Sequence, residues 1–463
     1  MNYEEYEGGK TKSIKQKFLG EGSYGCVWKP GITCSGNSLK DKELVTKITE
    51  KNFYSTNELQ IGNSLKSIKG YNKRFGGVKK YCIVEFNKLI NSKINLNNCH
   101  KLLEHIEYEN EAIEKLLASK FYLFHIKYKK GETLYEHFNK NNEIINNNKL
   151  YSAKYIHSLY FLLNSIQLLI NKKIVHNDLH YNNIIYNTDK NIPIIIDFGL
   201  SFDKRKFHIS DNKFKYSYIH NILMKYSIDI NRNYIYNIEK RLITYLIYNR
   251  TSKFNNKVND DLQKNELTKE NIEFFIEDSY NTMEHNYKDI ILTELELEVY
   301  KKSLYNYLMR FENKEKYPYY STILSELLPL AYKFIDIHSI SINYIDFYIK
   351  NITELKNSKY LFIYNLIVNL LKKILFPEPE YRLECNQLIS ILGFIIKYIN
   401  NIKNYSENIK SDFDSKLSIL LNEIDVKSEI ILNRNYGYIN FSEILTKENI
   451  ELVKDLKIKI KSK

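Results

Sequence analysis

Residues 173–187, KIVHNDLHYNNIIYN, set His176, Asp178 and Asn183 among apolar neighbours, and residues 192–201, IPIIIDFGLS, add Asp197 in the same kind of setting. Asp178 and Asn183 are five residues apart in a predicted loop between KIV and IIY, and Asp197 follows Asp178 by nineteen. Polar residues at the ends of buried strands can be no more than satisfied turn-formers. The types and spacing here point instead to phosphoryl transfer. That chemistry needs one carboxylate to orient an attacking hydroxyl and accept its proton. It also needs hard oxygen ligands to hold Mg²⁺ against the β- and γ-phosphates. Asp178 suits the first task, and Asn183 and Asp197 suit the second. His176 reads as a brace for the loop rather than a base or a ligand.

A second group lies near the start of the chain. LGEGSYGCVWKP carries Gly20, Gly22 and Gly25 in the pattern G-x-G-x-x-G, with Glu21, Ser23 and Tyr24 between them and Val27 beyond. Glycine permits a tight turn and lets backbone N–H groups approach phosphate oxygens. A dinucleotide-binding fold uses the same spacing but runs from strand into helix. Here a β-branched residue, an aromatic and Pro30 follow, which predicts strand, turn, strand: a hairpin over a nucleoside triphosphate. In ELVTKIT, Val45 and Lys47 share one strand face because side chains alternate. An inward lysine is costly unless it meets an anion, so Lys47 is expected at the α- and β-phosphates. Glu58, on the next predicted helix, is the carboxylate expected to hold it, with Glu50 as the alternative.

These residues need elements to place them. The alternating patterns predict strands around residues 15–49, over YCIVEF (81–86) and over KFYLFHIKY (120–128). Helical spacing appears at 56–69 and 100–118, and again in the long apolar stretch 151–171. NKNNEIINNNK (139–149) reads as a polar surface loop. From about residue 205 to 400 nearly everything reads as helix, broken by polar loops such as 250–268. The expected order is a leader (1–13), a mostly β first part (14–128), a mostly α part (129–400) and a Lys-rich helical tail (401–463). The fold class is α+β.

The glycine loop, the Lys strand, H-x-D-x-x-x-x-N and D-F-G stand in the order of the protein kinase superfamily, and the chain resembles that family over roughly residues 15–400. The resemblance implies a two-lobed protein-kinase-like fold, with a small β-rich N-lobe, a large mostly α C-lobe and ATP between them. It implies a hinge near Ile126 to Lys130 and adenine covered by Val27 and Val45. Lys47 would bind phosphate and pair with Glu58, Asp178 would be the catalytic base, and Asn183 and Asp197 would hold magnesium. FIDIHSIS resembles the buried helix whose Asp, here Asp336, supports the catalytic loop. FPEPEYRL resembles the segment of the late structural arginine, here Arg382. Its usual partner belongs to an A-P-E motif that is missing, and Glu239 is the stand-in.

Three departures matter. His-Asn-Asp replaces H-R-D, which removes the anchor for a phosphorylated activation loop; Ser210, Tyr216 and Ser217 are candidate phosphorylation sites there. His180 stands where many Ser/Thr kinases have lysine, and HNDLHYNN is also similar to the loop of aminoglycoside and choline phosphotransferases. About 135 residues separate Asp197 from Asp336, too many for a structureless loop, so a helical insertion over about 205–320 is expected. With its wealth of Lys, Asn, Ile, Tyr and Phe, residues whose codons are AT-rich, the chain resembles the protein kinases of large DNA viruses. The expected activity is transfer of the γ-phosphate of ATP to Ser or Thr of proteins. A small-molecule kinase and a pseudokinase scaffold are the alternatives.

Composition narrows the classes further. The net charge of +13 could suit an acidic partner, but only eight of the 68 basic residues are Arg. Nucleic-acid readers favour the bidentate arginine fork, so nucleic-acid binding is not expected as the main role. The five cysteines are scattered with no C-x-x-C pair, which reads as a reducing, intracellular setting without structural zinc. The polar first residues suggest no secretory signal. The longest apolar run, LISILGFIIKYI, contains Lys397 and is too short to span a bilayer.

Overall fold

The computed structural model describes residues 17–22, 25–90, 96–100, 102, 119–140, 148–206, 237–253, 264–287, 292–402, 406, 408–426 and 445–454. The leader 1–13, Ser23 and Tyr24, most of the predicted helix 100–118, and Ser210, Tyr216 and Ser217 lie outside the described residues. The fold is mixed α/β, with an antiparallel five-stranded sheet in the N-terminal region and a mostly helical remainder. The chain divides into two compact units. Unit 1 is Met1–Lys129 with Ile196–Leu200, and unit 2 is Lys130–Ile195 with Ser201–Lys463.

Unit 1 is built on β1 (Lys17–Gly22), β2 (Gly25–Lys29), β3 (Leu44–Glu50), β4 (Val78–Glu85) and β5 (Lys120–Lys127), in the order β1-β2-β3-β5-β4. The β1–β2 hairpin closes at the pair Gly22 and Gly25. Gly25 has φ +155°, and a Cβ there would collide with the Ile48 carbonyl oxygen on β3, so this position has to be glycine. The central strand β3 shows why the motif can hold a buried lysine. One face carries Ile48, packed with Trp28, Phe121 and Leu123 in the main core. The other carries Val45 and Lys47, with Val27 directly across from Lys47 in register.

Helix α1 (Phe53–Leu65) lies against β4. It starts three residues before the predicted 56 because Asn52 caps it. The Asn52 side chain accepts from the Tyr54 and Ser55 amides at 3.0 and 3.1 Å, and Ser55 answers with its hydroxyl at the Asn52 N–H. A Cβ on Gly62 would stand 3.2 Å from the Val78 nitrogen. Glycine therefore lets α1 come close to the sheet one turn beyond Glu58.

In unit 2 the chain forms the sheet β6-β8-β9 (Glu132–Thr133, Ile184–Asn187, Ile192–Ile195) and the pair β7 with β10 (Ile174–Val175, Phe202–Asp203). The predicted helix at 151–171 is α2 (Asn148–Asn171). In the span expected to hold an insertion stand α3 (Ile238–Lys253), α4 (Lys269–Tyr287) and α5 (Glu294–Met309). They are followed by the long α6 (Tyr320–Lys350), α7 (Leu361–Leu375), α8 (Cys385–Asn401) and, in the tail, α9 (Ile409–Glu423). The apolar run at 388–399 thus falls within α8, which buries Leu388, Ile391, Leu392, Ile395, Ile396 and Ile399. Among the described residues no helix is long and apolar enough to cross a membrane.

The cysteines depart from expectation. Cys26 pairs with Cys99 and Cys34 with Cys82, each at a Cα separation of 6.0 Å, and Cys385 is buried and unpaired. The reading of reduced thiols, and with it a reducing compartment, finds no support here. Sequence spacing carries no information on pairing across 73 and 48 residues. Cys26 and Cys99 are fully buried, whereas Cys34 is exposed. In the chain-entropy account a bridge closing loops of this size stabilises by about 4 kcal/mol. Reductant should therefore lower the midpoint of thermal unfolding of the N-terminal unit by several degrees, and thiol alkylation before reduction should label a single cysteine after denaturation.

Candidate active site

Lys47 is 6% exposed and its ammonium has two carboxylate partners. Nζ donates to Glu58 Oε2 at 2.9 Å and to Asp197 Oδ1 at 3.0 Å. The three residues come from β3, α1 and the short segment after β9, and all belong to unit 1. The segment Ile196–Leu200 is fastened there by contacts of its own. Asn57 Nδ2 on α1 donates to the Gly199 carbonyl at 3.4 Å, and the buried Phe198 ring meets Phe75 edge-on at 6.1 Å. Asp197 has φ +58°, a sparsely populated conformation for a residue with a side chain.

Burial works against the charged form of Lys47, but Asp197 and Glu58 outweigh it and hold the lysine above its ordinary range. Burial pushes the Glu58 carboxyl up to about 7 against the pull of Lys47. Asp197 keeps 26% of its side chain exposed, so it is the member open to a ligand. A Cβ placed on Gly22 would lie 3.9 Å from Asp197 Oδ2, and one on Gly20 would meet nothing within 4 Å. Gly25 is required by the sheet. Among the described residues no atom requires glycine at 20 or 22.

The second cluster stands in unit 2. Asn183 Nδ2 donates to the Asp178 carbonyl at 2.8 Å and to Asp178 Oδ2 at 3.0 Å. This fixes the amide, and Asn183 Oδ1 makes no hydrogen bond among the described residues. His180 caps the turn that follows, accepting from the Asn182 amide through Nδ1 at 3.3 Å. Its Nε2 lies 3.7 Å from Asp178 Oδ2.

Helix α6 holds this loop from below at three levels. Asp336 accepts from the His176 and Asn177 amides at 2.8 and 2.9 Å. Asn343 donates to the Leu179 carbonyl at 2.9 Å, and Asp346 accepts from the Tyr181 hydroxyl at 3.0 Å. The spacing 336, 343, 346 is that of one helical face. Burial pushes the Asp336 carboxyl up to about 6, with the two amide bonds and Lys240 pulling the other way. His176 is fully buried, and its carbonyl accepts from the Ser201 hydroxyl at 3.0 Å.

Arg382 and Glu239 meet as a two-pronged pair, Nη1 to Oε2 and Nη2 to Oε1, both at 2.9 Å, with almost no exposure. Arg382 also donates to the carbonyls of Phe376 and Pro377, and Tyr307 donates to Glu239 at 2.9 Å.

The structure thus brings together Lys47, Glu58 and Asp197, and puts Val27 and Val45 on the same face. It brings together Asp178 and Asn183, His176 and Asp336, and Glu239 and Arg382. Glu50, the alternative partner for Lys47, lies at the end of β3, and the Lys47 ammonium is held by Glu58 and Asp197 instead. Asn343 and Asp346 were missed, although two polar residues at helical spacing from Asp336 inside an apolar run were a readable sign. Among the described residues the one group of three His, Cys or carboxylate donors is Glu21, Cys26 and Cys99, and its two sulfurs form a disulfide. No protein-family model matches the chain, and no curated protein matches it.

Breaking the Arg382 pair leaves a buried guanidinium without its counter-charge. Glu239→Ala is expected to destabilise the chain by about 3–5 kcal/mol, read as a lower denaturation midpoint. Glu239→Gln, which retains an acceptor for one prong, should lose less.

Proposed function

We propose that the chain is a phosphotransferase of the protein-kinase type, moving the γ-phosphate of ATP to Ser or Thr hydroxyls of proteins. The observation that carries this reading is Lys47 held between Glu58 and Asp197. Those residues are 11 and 150 positions away in sequence, and their types and order were anticipated from phosphate chemistry. Under this reading unit 1 corresponds to the β-rich N-lobe and unit 2 to the helical C-lobe, with α3 to α5 belonging to the insertion.

The residues fit the groups this chemistry needs. Lys47 supplies a fixed positive charge for phosphate oxygens, and Glu58 holds its ammonium in place. Gly20 and Gly22 leave room for phosphate beneath the hairpin backbone. Val27 and Val45 offer an apolar surface on the Lys47 face for a base. The NH₂ of Asn183 is engaged by Asp178 while its amide oxygen makes no hydrogen bond among the described residues, and in unit 1 Asp197 has a partly exposed carboxylate. Two hard oxygen donors suit Mg²⁺, and two acids against one lysine favour a divalent cation. When bound, Mg²⁺ neutralises charge on the phosphates. Asp178 is the group that orients the acceptor hydroxyl and takes its proton, with its carboxylate direction set by Asn183.

His180 beside Asp178, in place of a lysine, supports a second reading in which the acceptor is a small hydroxylated molecule. The test separates them. Purified chain is given Mg²⁺ and labelled ATP with generic protein substrates or with a panel of hydroxylated metabolites. Label should appear on protein and fall by at least about 100-fold in Asp178→Ala, and also in Lys47→Met and Asp197→Ala. Label on metabolites alone moves the assignment to the second reading. No transfer at all removes the enzyme and leaves a scaffold. Gly20→Ala and Gly22→Ala should raise KM for ATP while leaving the thermal midpoint unchanged.

A further inference from the structure

Lys240 stands in the first turn of α3, where its own amide donates to Asn237 Oδ1 at 3.2 Å. A cation at a helix N-terminus works against the helix dipole, and this one is 4% exposed. Two unfavourable settings in one lysine call for a compensating contact. Lys240 Nζ donates to Asn177 Oδ1 at 2.8 Å.

Asn177 is the residue immediately before Asp178. It has φ +65°, a conformation that residues with side chains seldom adopt. Its N–H donates to Asp336 at 2.9 Å, and its side-chain oxygen accepts from Lys240 at 2.8 Å. Release of the side chain would free the peptide that aims Asp178. We propose that Lys240 is a positioning residue of the Asp178 loop: its ammonium fixes Asn177 and so holds the backbone that carries Asp178, whose carboxylate Asn183 orients. This rests on the phosphotransfer reading of Asp178.

The charge environment agrees with the geometry. The charges facing Lys240 are Asp178 from the loop and Asp336 from α6. On α3 itself, Glu239 is taken by Arg382 and Arg241 by Asp278. His176 and His180 are the other titratable groups of the loop. Burial pushes the Lys240 ammonium down to about 7, with Asp178 and Asp336 pulling it up. The hold on Asn177 is therefore strongest below pH 7, where the amine carries its proton, and weakens as pH rises through that value.

The test uses full-length wild type, Lys240→Met, Asn177→Ala and the double variant. Lys240→Met should lower kcat by about 100-fold, the cost of a small misplacement of a reacting group, with KM for ATP unchanged. The wild-type kcat should fall as pH rises through 7, and this limb should be missing in Lys240→Met. The double variant should be no slower than Lys240→Met, because both act through one contact. Lys240→Arg, which stays charged, should recover part of the rate and flatten the limb. Wild-type kcat and pH profile in Lys240→Met overturn the proposal. Wild type without phosphotransferase activity sinks the functional reading instead. In that case hydrogen exchange of the 176–183 amides decides on Lys240: faster exchange in Lys240→Met supports the hold, and unchanged protection overturns it.

Discussion

A lysine ammonium cannot stay charged inside a β-sheet core without counter-charge, and the N-terminal unit is arranged around that constraint. Lys47 sits on the central strand with Val27 across from it and is 6% exposed. Its two carboxylates come from elements far apart in sequence, so neither strand nor helix can satisfy it alone. The cap at Asn52 fixes where α1 begins, and Gly62 sets how near α1 lies to β4. Together they place Glu58. The contacts of Phe198 and Gly199 with α1 and its surroundings do the same for Asp197. The local rules of capping and close approach thus serve one electrostatic demand.

The C-terminal unit answers a different demand, the fixing of irregular backbone. The stretch 176–183 has little regular hydrogen bonding of its own, and a buried loop with unmet N–H and C=O groups is expensive. Helix α6 meets that need with Asp336 and Asn343, and Asp346 on the same face accepts from the Tyr181 hydroxyl. The same helix is otherwise among the most apolar parts of the chain. These three polar residues are explained by the loop they hold rather than by solvent.

Much of this was readable beforehand. Alternation marked β3, β4 and β5, helical spacing marked α1, and the long apolar stretch marked α2, because each element buries one face or both. Lys47, Asp178, Asn183 and Asp197 stood out as polar residues in apolar surroundings, which only a specific use makes tolerable. What escaped notice depended on three-dimensional proximity. The cysteine pairing has no local signature. Lys240, within IEKR, resembles an ordinary charged helix start, and its contact lies 63 residues away. The start of α1 was misplaced because the capping asparagine comes before the first periodic position.

The two sulfur bridges differ in how solvent reaches them. One opens onto water through Cys34, while the other is sealed under Trp28 and Phe121 in the core. A mild thiol reagent would meet them in sequence, cutting the outer staple long before the inner one. The loop at 31–38 would loosen first, with the turn end of the glycine hairpin still tethered through Cys26. The N-terminal unit would then soften in stages, from its rim inward.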